Sequence, residues 1–157
     1  MKLAEALADR AAAVRQVEQL RARVVASARY QDGETPAEDA GRLLGEVART
    51  LDELEALIRR INRTNAVVGM GDDGTLTDAL ARRDVLRMRH AVITAAADAA
   101  AGKDQRGMVV RQLRSELAMV AALPVAELRD QADALAREIR ALDVRIQRTN
   151  WEFDLLE

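Results

Sequence analysis

Arg83 and Asp84, with Asn62, Asn65 and Asn150, are the side chains in this sequence best equipped to bind something. The planar fork of an arginine takes a carboxylate or phosphate through two parallel hydrogen bonds, and asparagine amides can fix the orientation of what is held. These residues stand at repeated stations. Residues 3–10 read LAEALADR and 76–83 read LTDALARR, while 60–65 read RINRTN and 145–150 read RIQRTN. Laying Leu3 on Leu76 puts Arg10 on Arg83 and Glu5 on Asp78; laying Ile61 on Ile146 puts Arg63, Thr64 and Asn65 on Arg148, Thr149 and Asn150. Two readings follow. Repeated polar groups at helix ends can cap open backbone groups and fix register, or they can line a small anion-binding pocket around Arg83.

Other chemistry has little to stand on. Cysteine is absent, which removes disulfides, thiolate metal sites and thiol nucleophiles. His90 is the single histidine, and no Glu-x-x-His pair of the helical di-iron type occurs. It falls on an apolar helix face, where a lone histidine reads as a hydrogen-bonded core or interface residue. Glu46, Asp52, Glu53 and Glu55 superficially resemble the magnesium-holding carboxylate helices of all-α nucleotide pyrophosphatases, but interspersed arginines mark a solvated face. The sequence therefore offers no catalytic residue, no metal ligand set and no cofactor motif.

The 24 basic and 26 acidic side chains are intermingled for a formal charge of −2, so no basic stripe invites nucleic acid or an anionic membrane. Lys2 and Lys103 are the only lysines, a bias that a GC-rich genome would also produce. The opening MKLAEALADR places Glu5 and Asp9 where a signal peptide needs an apolar run, and Ala91 to Ala101, the most apolar stretch, is about half the length of a membrane span. A soluble, cytoplasmic protein is expected, with 157 residues suiting a single helical domain.

Apolar spacing predicts the elements that position these residues. Leu3, Leu7, Val14, Val17, Leu20 and Val24 define a first helix from Lys2 to about Ala28. Thr35-Pro36-Ala37-Glu38 has the chemistry of a capping box, predicting a second helix from there to about Val67. Its face is Leu44, Val47, Leu51, Leu54, Ile58 and Ile61, broadened by Leu43 and Leu57. After a glycine-rich turn from Gly69 to Gly74, Thr75 and Asp78 form a second box, and Leu76, Leu80, Leu86, His90 and Ile93 carry a third helix to about Ala100. Residues 105–122 fit a short helix or, as we read them, an extended arm. Pro124 opens a fourth helix that keeps a three-four rhythm from Val125 to Phe153.

The expected fold is all-α: an elongated antiparallel four-helix arrangement of two duplicated hairpins, about 2–67 and 75–153, each helix about 40 Å long at 1.5 Å per residue. With Tyr30, Trp151 and Phe153 the only aromatics, the core must be aliphatic. The second and fourth helices carry more apolar face than two neighbours would cover, so a homo-oligomer, a dimer or higher, is expected. Trp151 and Phe153 are candidate interface residues that could instead plug the bundle end.

Arg63-Thr64-Asn65, the turn into Leu76-Thr77-Asp78-Ala79-Leu80, Arg83-Asp84 and the closing Asn150-Trp151 together resemble a bacterial family whose members are labelled septicolysin or septicolysin-like. The resemblance covers essentially the whole chain and is weakest from Gln105 to Ala122. It implies an all-helical fold of similar length and carries no established catalytic residues. A pore former needs a long apolar helix or strands that close into a barrel, and the sequence offers neither at adequate length. The functional expectation is a non-enzymatic, self-associating scaffold or adaptor. The alternative is a small-ligand or anion-binding protein, conceivably an enzyme, built around Arg83, with a membrane-active toxin third.

Overall fold

The computed structural model describes residues 1–103, 109 and 117–157, and among them the regular structure is helical. α1 (Leu3–Ser27) and α3 (Leu76–Ala100) each span 25 residues; α2 (Ala40–Val67) and α4 (Val125–Glu152) each span 28. The lengths repeat with the sequence. No strand is formed among the described residues, only isolated bridges. The chain divides into two compact units, the first made of Met1–Gly71, Thr75–Thr77 and Gln147–Glu157, the second of Asp72–Gly74 and Asp78–Ile146. Most of the expected arm at 105–122 lies outside the described residues; 117–122 carry no regular structure and are exposed.

In the first unit α1 packs on α2. Arg23, late in α1, holds Glu38 just ahead of α2, which makes the pair antiparallel. Leu3, Ala6 and Leu20 of α1 and Leu43, Ile61 and Thr64 of α2 are buried in its core. The expected start of α2 needs correction. The cap is Asp39, whose Oδ1 accepts from the Arg42 N–H at 3.0 Å, and the helix begins at Ala40. Glu38, expected in a box with Thr35, goes to Arg23 instead. The inward face also differs by about 100° of helix rotation from part of the expected stripe. Thr50 is buried, whereas Leu44 and Leu51 are exposed.

The same unit holds a junction in which each duplicated segment leans on the other. The Leu3 N–H donates to the Phe153 carbonyl at 3.0 Å, and the Leu76 N–H donates to the Val68 carbonyl at 2.8 Å. Leu3 aligns with Leu76 and Val68 with Phe153, so one bond is the repeat of the other with the copies exchanged. The bridges Lys2 to Asp154 and Gly69 to Thr75 repeat in the same way. So do Met70 and Leu155, both buried.

In the second unit α3 and α4 run antiparallel: Arg87 reaches Asp143 at 3.0 Å, and farther along α3 Asp98 reaches Arg129 at 2.6 Å. Ala79, Leu86, Ala97, Leu128, Ala132, Leu142 and Ile146 are its buried apolar residues. α3 stops at Gly102, whose φ of 78° suits a residue without a Cβ and lets the Lys103 N–H reach back to the Asp98 carbonyl at 3.0 Å. Pro124 precedes α4, and its carbonyl accepts from the Leu128 N–H at 3.1 Å.

Candidate functional site

Arg83 lies on α3 with its side chain 22% exposed, and its guanidinium is already engaged. Nε and Nη2 donate to Asp84 Oδ1 at 3.2 and 3.1 Å, and Nη1 stands 3.9 Å from Asp143 Oδ1 on α4. Arg87 Nη2 donates to both Asp143 oxygens, at 3.0 Å to Oδ2 and 3.3 Å to Oδ1. An incoming anion would have to displace two carboxylates that the chain itself supplies.

The asparagines that the sequence grouped with Arg83 belong to the first unit, whereas Arg83 and Asp84 belong to the second. Asn150 is buried, Asn62 is exposed, and the Asn65 Oδ1 is buried without a hydrogen-bond partner. The threonines between them act structurally. Thr64 Oγ1 donates to the Arg60 carbonyl at 2.8 Å and accepts from the Leu156 N–H at 3.0 Å, while Thr149 Oγ1 lies 3.1 Å from Met70 Sδ. In each copy this threonine receives the tail that follows the other copy's last helix.

Sequence reading missed Asp73. Its side chain is only 2% exposed and is gripped by Arg82 of α3 and Arg145 of α4, with Arg82 extending to Glu138 at 2.6 Å. The hydrogen bonds that Arg82 donates to Glu138 and then to Asp73 hold its guanidinium above its ordinary pKa. The loop that delivers Asp73 closes at Gly74, φ 78°, where an added Cβ would fall 2.6 Å from Asp78 Oδ2. Only the acid-rich turn ahead of α3 could have signalled this network, and such turns are common at helix starts. A buried carboxylate with two arginine partners is satisfied and has the chemistry of a brace.

A polar groove of about 420 Å³ runs along α1 and α2, lined among others by Arg15, Gln16, Gln19, Arg23 and Glu46. Arg23 is spent on Glu38, whose carboxyl is held below its usual range chiefly by that hydrogen bond. Among the described residues no group of three or more His, Cys, Asp or Glu side chains could hold a metal ion. No described helix is long and apolar enough to cross a membrane.

What the described helices do present is apolar surface. On α3 the side opposite the core carries Ala81, Val85, Met88, Val92, Ala95 and Ala99, all exposed, with Val85 at 53% and Met88 and Val92 each at 66%. Leu44 and Leu51 stand out from α2, and Trp151 and Phe153 are also exposed. Val14 and Val25 stand out from α1 and Val144 from α4, so exposed apolar side chains occur on all four helices, the second and fourth among them.

Residues 10–155 match a family of unknown function, DUF6847. The chain is also similar to a crystal structure of a functionally unknown conserved protein from Corynebacterium diphtheriae, with 38% sequence identity over 99% of both chains and a TM-score of 0.90. No curated protein matches it.

Proposed function

Taking as premise that the chain belongs to the DUF6847 family, whose function is unknown, we propose that it is a non-enzymatic, self-associating helical protein that works as a scaffold or adaptor through its surfaces. The observation that carries this reading is the large apolar side chains left in water on α2 and α3 and at Trp151 and Phe153. Contiguous exposed apolar surface marks interaction sites. Light scattering on the eluting protein tests the reading: a mass at least twice that of the chain is expected, and a monomer at every concentration would overturn it.

The competing anion-binding reading is weakened by the engagement of Arg83 with Asp84 and Asp143. It would regain ground if phosphate or a carboxylate raised the melting temperature and Arg83→Ala abolished the rise. The self-association reading expects no such Arg83-dependent shift.

A further inference from the structure

We propose that the exposed stripe of α3, centred on Met88, is the seam on which a second copy of this chain docks, its own α3 running antiparallel with Met88 near the crossing. The proposal rests on the self-association reading and adds to it the surface and the geometry.

The stripe is apolar at six successive stations over about five turns. Ala81, Val85, Met88, Val92, Ala95 and Ala99 follow one another at steps of four and three, the spacing of a narrow helix-pairing seam. They lie opposite Leu86 and Ala97, which α3 buries in its own unit. The helix therefore has two apolar sides, and among the described residues only one is covered.

The internal duplication supplies a control. Laying Leu3 on Leu76 brings the same six stations of α1 to Ala8, Ala12, Arg15, Gln19, Ala22 and Ala26, and all of these are exposed as well. Where α3 has Met88 and Val92, α1 has Arg15 and Gln19. A hairpin of this design folds with polar residues at those stations, so the fold itself does not call for methionine and valine there.

The identity of the occupant follows from symmetry. Around Met88 the sizes read alanine, valine, methionine, valine, alanine in either direction. In an antiparallel twofold pairing each side chain then meets one of its own size, as a self-complementary interface requires. Asp84 borders the stripe on one side and Arg89 on the other, giving the apolar seam a charged rim.

Absence of cysteine makes the test direct, because a single introduced thiol has no competitor. Met88→Cys should form a disulfide-linked dimer under mild oxidation, while Arg15→Cys, at the matching station of α1, should remain unlinked under the same conditions. Met88→Glu combined with Val92→Glu, at positions already in water, should keep the helical circular dichroism and halve the mass seen by light scattering. A wild-type chain that is monomeric throughout would remove the self-association reading and this proposal together. A wild-type oligomer whose mass is unchanged by the double glutamate variant, or in which Met88→Cys links no better than Arg15→Cys, would overturn the α3 seam and leave self-association standing.

Discussion

Thr64 is wholly buried, yet its hydroxyl satisfies two backbone groups, donating to the Arg60 carbonyl and accepting from the Leu156 N–H. Valine has nearly the same shape and no hydroxyl. Thr64→Val should therefore destabilise the chain by about 1–3 kcal/mol, because the amide of Leu156 loses its acceptor at a half-buried site. Thr149→Val should cost less, under about 1 kcal/mol, since a thioether sulfur is a weak acceptor. Urea denaturation of the two variants side by side checks the order; equal losses would mean that the tail bond to Thr64 contributes nothing. The repeat in the sequence had already paired these two threonines. It could not show that their partners lie in each other's tails, because nothing local to Thr64 points to Leu156. Arg83 was conspicuous because its neighbour Asp84 is visible in the sequence, whereas Asp143 is brought beside it only by the packing of α3 on α4. Asp73, buried between two arginines, gave no local sign of its environment.

The start of α2 shows how elements are specified by more than their own residues. Thr35-Pro36-Ala37-Glu38 and Asp39 both have the chemistry of a helix start, and the second is used because Glu38 is drawn to Arg23 on α1. Asp39→Ala should cost about 0.5–2 kcal/mol by removing the cap, and Thr35→Ala only a few tenths. Thermal unfolding distinguishes them, and a larger loss from Thr35→Ala would return the cap to the upstream box. The other helix boundaries were legible because glycine, proline and the three-four apolar rhythm agree there; the choice of inward face on α2 was not, since leucines flank the buried line on either side. Between α3 and α4, Arg129 holds the Asp98 carboxyl below its ordinary value, chiefly by their hydrogen bond, with burial opposing and Lys103 adding attraction. A carboxyl lowered in the folded state contributes stability at pH above its unfolded value of about 3.9, and that contribution is lost as pH falls through the folded value. Arg129→Ala should therefore lose stability at neutral pH and converge with the parent chain in acid. Urea midpoints measured across that range check the sign; a difference that persists unchanged at the acid end would rule out the pair as its source.

At the scale of the whole molecule the duplication decides what each copy can do alone. Both hairpins were readable from the sequence, because the repeated helix starts and ends are long enough to align. Their exchange at the ends was not. α1 begins on the carbonyl of Phe153, α3 begins on that of Val68, and the residues that follow α4 close the first unit. Leu155 is buried there, its N–H donates to the Met1 carbonyl at 2.9 Å, and the Leu156 N–H caps Thr64. The corresponding stretch of the other copy lies around Met70, which is buried in the same unit. Ending the chain at Glu152 removes the acceptor for Leu3, the buried Leu155 and the partner of Thr64 together. Burial of one leucine is worth about 1.5–3 kcal/mol, so with the lost hydrogen bonds the truncated chain should unfold at a clearly lower urea concentration than the parent. Hydrogen exchange locates the effect: amides in the first turn of α1 should lose protection, and those of the middle of α4 should keep theirs. Undiminished protection at Leu3 in the shortened chain would show that α1 is held by α2 alone and that the exchanged tails contribute nothing to its start.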